Sequence, residues 1–148
     1  MVHALEEIHR LLKPTGVLID IHPVAESSPV EIHQGGKIDL AGHLSVSQWC
    51  TDFQQADQAL TEIIQRGLFA TERESVFDSL THYDSAAEMR TDLKESIDKF
   101  ARDAQSADEA VPHAEALAAR AEELLQAAAS GAELIVRERV HISRLKPT

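Results

Sequence analysis

The chain has 148 residues, of which 43% are hydrophobic and 26% charged, as in an ordinary globular domain rather than a disordered tail or a fibre. Its 14 basic and 25 acidic residues give a formal net charge of -11, so the summed field repels phosphate backbones and anionic membranes, and we expect neither nucleic acid nor membrane as partner. The single cysteine excludes an intramolecular disulfide and favours a reducing, cytoplasmic compartment.

The chain opens with the pattern of an amphipathic helix followed by a buried strand. Apolar residues recur at helical spacing over residues 2–12, and Pro14 ends the helix. Residues 17–22 are apolar on both faces apart from Asp20, which is typical of a central parallel strand. Such a helix normally follows an earlier strand of the same sheet, so we expect part of the sheet to be missing upstream.

A β-hairpin and a second helix are predicted next. Residues 30–33 and 37–46 alternate in polarity, and the paired glycines between them suit a turn that needs positive φ. An apolar stripe over residues 53–64 predicts a helix, for which Thr51 or Asp52 can serve as the N-terminal cap.

The second half predicts two strands that flank a helical hairpin. Residues 68–83 contain apolar side chains without strict alternation and are interpreted as a long, bent strand. A capping box at residues 85–88 begins a helical hairpin over about residues 85–130, with a break at residues 106–112. Residues 134–145 alternate cleanly, which predicts a half-buried strand.

The opening segment, residues 4–20, reads ALEEIHRLLKPTGVLID. It resembles the late helix and fifth strand of class I S-adenosylmethionine-dependent methyltransferases, where the helix often ends in Arg-x-Leu-Lys-Pro-Gly-Gly; here Thr15 replaces the first glycine. The order of the later elements is similar to that family's last helix and terminal antiparallel hairpin, with residues 85–130 inserted. The resemblance implies an α/β fold with a short mixed sheet, like the C-terminal half of a Rossmann-like methyltransferase, as one domain over residues 1–148.

The same resemblance implies that the cofactor-binding half is absent. That family holds its cofactor on a glycine-rich turn after the first strand, with an acidic residue after the second, and the chain has neither. We therefore expect no cofactor for this chain alone, and S-adenosylmethionine only where another chain supplies that half. Methyl transfer by the chain alone is not expected, because the donor must be held in line with the acceptor.

Two functions follow from this interpretation. The first is a methyltransferase-related protein that is a non-catalytic, dimeric interaction or small-ligand module. The alternative is a partial S-adenosylmethionine-dependent methyltransferase, whose cofactor half comes from another chain or was lost by truncation. Without its earlier neighbours the strand from Val17 to Ile21 is an unprotected edge, which predicts a homodimer or a complementary chain that covers it.

Candidates for catalysis lie at the ends of the predicted strands. His22, His82, Tyr83 and Asp84 are expected to line the crevice where substrates bind in open α/β sheets, and the histidines are candidate general bases. The simpler interpretation, which we favour, is a helix entry capped by Ser85.

Histidine and cysteine are also the residue types of metal sites and of nucleophilic catalysis. His22 and His82 are expected at one rim and His141 at the opposite rim, and no closely spaced ligand pair is present, so we predict no metal site. A lone cysteine such as Cys50 is more often a small buried hydrophobe than a nucleophile.

The last predicted strand concentrates positive charge. An anion site is one interpretation, and cross-strand pairing with Glu72 and Glu74 is the one we favour. The strand's basic residues are Arg137, Arg139, His141 and Arg144.

Overall fold

A computed structural model describes the backbone at residues 1–44, 47–100 and 104–148, and the side chains at residues 1–44, 51–99, 108 and 110–148. The described residues form a mixed α/β protein with four helices and five strands, so the predicted α/β class is confirmed. In chain order the elements are α1 (Val2–Leu11), β1 (Leu18–Pro23), β2 (Ser28–Gln34), β3 (Lys37–Leu44), α2 (Ser47–Gln65), β4 (Phe69–Tyr83), α3 (Ala86–Phe100), α4 (Ala104–Ala127) and β5 (Glu133–Pro147).

The strands form an antiparallel sheet in which β5 has three neighbours. It pairs with β2 through residues 133–136, with β1 through residues 140–145, and with β4. The predicted central parallel strand is therefore wrong: β1 is antiparallel to β5, and Ile19 and Ile21 are 49% and 58% exposed. One apolar face of β1 is open, which a central parallel strand does not allow. The predicted short mixed sheet is also wrong, because the sheet is antiparallel, and this order is unlike that of a typical Rossmann sheet.

The chain divides into two compact units, and β4 and β5 contribute residues to both. The first unit comprises Met1–Ala25, Cys50–Asp78 and Arg139–Thr148. The apolar stripe of α1 packs onto its core, as the helical spacing predicts. The buried members of that core are Leu60, Ile63, Phe69 and Leu145.

The second unit comprises Glu26–Trp49 and Ser79–Glu138, and its core lies between the β2–β3 hairpin and the helices α3 and α4. The predicted helical insertion between the last two strands is confirmed. The predicted break at residues 106–112 is misplaced, because α4 begins at Ala104 and contains Pro112. Proline removes one backbone hydrogen bond from a helix interior, and here the apolar face of the helix continues past it.

The hairpin is confirmed, while the start of α2 is not. Gly35 and Gly36 have φ of 55° and 84° in the turn between β2 and β3, as a two-residue turn of this kind requires. The predicted end of the second hairpin strand, at residues 45–46, lies outside the described residues. Helix α2 begins at Ser47, earlier than the expected cap at Thr51 or Asp52. That residues 1–148 form one domain stays a prediction, because the division into two compact units does not test it.

Candidate functional site

A cluster of polar side chains lies on the face of the β1–β5 pair that α2 covers. Leu18 and Leu145 are cross-strand neighbours and belong to the core that includes Leu60 and Ile63 of α2. Side chains two positions apart on a strand share a face, so the next pairs of this face are polar. These pairs are Asp20 with Ser143 and His22 with His141.

His22 is held between two carboxylates. Its Nδ1 lies 2.6 Å from Oδ2 of Asp20, and its Nε2 lies 2.9 Å from Oδ1 of Asp57, which is on α2. Burial lowers the pKa of the imidazole, but the hydrogen bonds and charges of Asp57 and Asp20 outweigh it and hold the pKa above its ordinary value. A doubly protonated ring donates a hydrogen bond to each carboxylate.

His141 lies directly beside His22. The two ring centroids are 5.4 Å apart with the planes at 67°. Nε2 of His141 is 3.9 Å from Oε2 of Glu74 on β4. Its Nδ1 is buried and, among the described residues, has no hydrogen-bond partner, and the same holds for Oγ of Ser143. One ligand atom each from Asp20, His22 and His141 lie within 4.8 Å of one another.

The expectation that His141 lies at the opposite rim from His22 is therefore wrong. It assumed that a late position on β5 is far from the end of β1. The first residues of β5, 133–136, pair with β2 instead, and β1 pairs with residues 140–145 further along the strand. His141 is thereby brought opposite His22, at the carboxyl end of β1.

The other candidate residues belong to the second unit. His82 has a half-exposed side chain, with Nδ1 3.8 Å from Oε1 of Glu133. The hydroxyl of Tyr83 donates to Oδ2 of Asp92 at 2.6 Å. Burial and the Asp92 carboxylate raise the pKa of Tyr83 far above its ordinary value, so the phenol stays protonated near neutral pH and cannot accept a proton as a general base. That His22 and His82 share one rim stays a prediction.

The simpler interpretation of the Asp84–Ser85 segment is confirmed. Oγ of Ser85 accepts from the backbone N–H of Glu88 at 3.1 Å, and Glu88 accepts from the backbone N–H of Asp84 at 2.7 Å. These contacts are a capping box at the start of α3, and they satisfy backbone donors that the helix itself leaves free.

The basic residues of β5 form ion pairs, as expected, although not all with the expected partners. Arg144 binds Glu72 at 2.8 Å, and Lys146 binds the same carboxylate. Arg137 binds Glu31 instead, at 2.5 Å. The side chain of Cys50 lies outside the described residues.

Sequence reasoning missed the environment of Glu31. This carboxylate on β2 is 3% exposed and accepts from Nη2 of Arg137 and, at 2.8 Å, from Nε2 of His33. Burial raises the pKa of Glu31, but Arg137 and His33 lower it more, so that it lies below its ordinary value. The alternation of the predicted strand assigns Glu31 to the polar face, opposite Val30 and Ile32, so the sequence pattern gives no signal of its burial.

The polar cluster around His22 thus combines ligand-type side chains, partial burial and unsatisfied atoms. Two imidazoles and a carboxylate can bind a metal ion, and an imidazole between two carboxylates can hold a proton. Comparison of the chain with protein-family models, curated proteins and solved structures gives no match. None of the described helices has the length and apolar character that crossing a bilayer requires.

Proposed function

We propose that the chain is a cytoplasmic, methyltransferase-related protein that lacks the S-adenosylmethionine-binding half and is a non-catalytic interaction module. Its short sheet corresponds, in this proposal, to the C-terminal half of a Rossmann-like methyltransferase. The pairing of β4 with β5 at the end of the chain supports this correspondence, because the resemblance implies a terminal antiparallel hairpin. The partner we propose is a second copy of the chain, paired along β1.

The observation on which the proposal rests is the free edge of β1. Among the described residues, β5 is the only strand that pairs with β1. An unpaired edge presents a row of backbone N–H and C=O groups to which another strand can bind.

The side chains of β1 also favour docking. Ile19 and Ile21 are exposed on the open face, where Ile142 of β5 is the cross-strand neighbour of Ile21. The polar side chains of the strand, Asp20 and His22, lie on the opposite face and contact each other. On this face β1 itself carries no charged side chain, and the nearest charge is Arg144 of β5, the cross-strand neighbour of Ile19, which is paired with Glu72.

The other two strands with a single neighbour among the described residues are better protected. β3 carries Lys37 and Asp39, which form an ion pair at 2.8 Å. Charged side chains on an edge discourage pairing with another strand, and this difference is why we place the interface at β1. The charges on β4 are more numerous: Glu72, Arg73, Glu74 and Asp78.

A second copy of the chain is the partner that best fits the free edge of β1. Two antiparallel copies of one strand form an isologous, two-fold interface in which each edge satisfies the other. Ile19 and Ile21 of both copies then form one apolar strip. A groove of about 330 Å³ on the same face, lined by Ile19, Ile142 and Arg144 among others, has room for a partner side chain or a small ligand.

Light scattering over a range of protein concentrations tests the interface. We expect a dimer for the natural chain and a monomer for Ile21→Lys, which places a charge at the centre of the interface. Ile38→Lys is the matched control, because Ile38 is 55% exposed on β3, nearly as much as Ile21 on β1. Salt should strengthen the dimer, because it screens repulsion between two chains of net charge -11. A monomeric natural chain, or a dimer that Ile38→Lys disrupts and Ile21→Lys does not, contradicts the proposal.

Isothermal titration with S-adenosylmethionine and S-adenosylhomocysteine tests the other part of the proposal on the same sample. We expect no binding to the chain alone, because the glycine-rich turn that would hold the nucleoside is missing from the sequence. Micromolar binding would contradict this expectation and favour the alternative, a partial methyltransferase whose site is completed by another chain.

A further inference from the structure

We propose that Asp20, His22 and His141 form a binding site for one divalent first-row transition-metal ion. Asp20 and His22 are two positions apart on β1, and His141 is the cross-strand neighbour of His22 on β5. Their ligand atoms lie within 4.8 Å of one another. The site is on the face of β1 opposite to Ile21, so it is independent of the proposed dimer interface.

The chemistry of the donors selects the class of ion. Imidazole nitrogen suits zinc, iron, nickel and copper, whereas magnesium and calcium prefer sites made of oxygen ligands alone. Two histidines and one carboxylate supply three protein ligands and leave a fourth position of the ion open to water or a small ligand. The carboxylate of Asp20 would also offset part of the charge of the ion.

Asp57 is placed to orient His22 as a metal ligand. Nδ1 of His22 faces Asp20 and Nε2 faces Asp57, so an ion bound between Asp20 and Nδ1 leaves Nε2–H to donate to Asp57. A ligating histidine usually donates its second N–H to a carboxylate in this way. Ligand atoms about 2.0–2.2 Å from one ion lie roughly 3 Å apart, so binding requires Nδ1 and Asp20 to separate slightly from 2.6 Å.

The unsatisfied atoms of the cluster give a second and independent reason. Nδ1 of His141 and Oγ of Ser143 are buried without a hydrogen-bond partner among the described residues. Buried polar atoms in folded proteins nearly always have a partner. A metal ion and a water molecule bound to it would provide partners for both atoms. In the simpler alternative, a protonated His22 links β1 to α2 without any metal ion. This alternative accounts for the contacts with Asp20 and Asp57, but it gives no partner to the buried Nδ1 of His141.

Metal titration of the chelator-treated chain tests the site, with Zn²⁺ in calorimetry and Co²⁺ in visible absorption. We expect one ion per chain, and a visible absorption spectrum typical of a Co²⁺ ion with a low coordination number. His141→Ala and Asp20→Ala should abolish binding, and Asp57→Ala should weaken it by about 10- to 100-fold through loss of the orienting carboxylate. His82→Ala is the matched control, a half-exposed histidine outside the cluster, and should bind as the natural chain does.

The possible outcomes distinguish a specific metal site from weak binding of the ion to surface histidines. Absence of saturable binding by the natural chain overturns the proposal whether or not any variant folds. Binding that survives His141→Ala and Asp20→Ala, or that His82→Ala reduces equally, also overturns it, because eight histidines provide other places for weak association. Circular dichroism of each variant confirms that loss of binding is not loss of fold. The readout is metal content and spectrum, so it does not depend on the oligomeric state.

Discussion

Asp57 and His22 are joined by a 2.9 Å contact between Oδ1 and Nε2, although 35 positions of sequence separate them. The contact connects α2 to the carboxyl end of β1 within the first unit. It also occupies one nitrogen of the ring while Asp20 occupies the other. The polar cluster therefore has a structural role that can be measured without any metal ion.

Asp57→Ala, studied in the presence of a chelator, should lower the free energy of unfolding by about 1 kcal/mol. A hydrogen bond between charged groups contributes more than this when it is buried, but the side chain of Asp57 is 51% exposed and solvent screens the interaction. Urea unfolding followed by circular dichroism gives the value.

Glu95→Ala is the control for that measurement, since Glu95 is an exposed acidic residue on α3. Surface substitutions of this kind change stability by about 0.5 kcal/mol or less. If the two variants have the same stability, the contact between Asp57 and His22 does not stabilise the fold, and the structural interpretation of the cluster is wrong.

The buried carboxylate of Glu31 should make stability fall in acid. Its pKa is lowered in the folded state from an ordinary value of 4.5, against the effect of burial, by Arg137 and His33. A group with a lowered folded pKa stabilises fully above its unfolded pKa, and the contribution is lost as the pH falls through the folded pKa. The free energy of unfolding, measured in urea from about pH 7 to about pH 3, should therefore drop below pH 4.5.

Comparison with Glu31→Gln isolates this group from the other acidic residues. The variant keeps the shape of the side chain but cannot lose a charge. The stability difference between the natural chain and the variant should be constant above pH 4.5 and shrink as the pH falls. A difference that stays the same down to pH 3 would show that Glu31 is not the titrating group.

Local elements could be predicted from the sequence because their signals are local. Pro14 ends α1 and two adjacent glycines form the hairpin turn, as interpreted from neighbouring residues alone. The alternation along β5 likewise predicted the burial of Leu134, Val136 and Val140, but not that of Ser143 and Leu145, which lie on the opposite face of the strand.

The same local signals do not predict which strands pair with each other. Whether β1 has a parallel or an antiparallel neighbour depends on which distant segment pairs with it, and an apolar run contains no information on that choice. The register that places His141 opposite His22 depends on how much of β5 pairs with β2 first. For this reason the sequence identifies the histidines one by one but does not predict that His22 and His141 meet Asp20 and Asp57.

Tyr83 offers a spectroscopic test of the second unit, because it is the only tyrosine in the chain. Burial and the contact with Asp92 raise its pKa far above 10.0, so the tyrosinate absorbance should appear only in strong alkali. Asp92→Asn removes the neighbouring charge and should move the transition to lower pH, towards the ordinary value. An unchanged transition in the variant would mean that burial alone sets the pKa, and a natural transition near pH 10 would contradict the contact itself.

A close approach between β3 and α4 at Gly42 predicts a testable pattern of stabilities. A Cβ atom at Gly42 would lie 2.6 Å from Cδ2 of Leu117, and Leu117 is a buried residue of the second core. Gly42→Ala should therefore destabilise the chain by about 1–3 kcal/mol through overpacking. Leu117→Ala should cost about 2–5 kcal/mol, because it leaves a cavity.

The double variant distinguishes this explanation from a general effect of replacing a strand glycine. Once Leu117 is alanine, the methyl group at position 42 has room and fills part of the cavity, so the double variant should be more stable than the sum of the two single losses predicts. The coupling of residues in contact is commonly about 0.5–3 kcal/mol. Urea unfolding of the four proteins measures it directly. Additive losses would show that Gly42 is required by the backbone of β3 and not by its contact with α4.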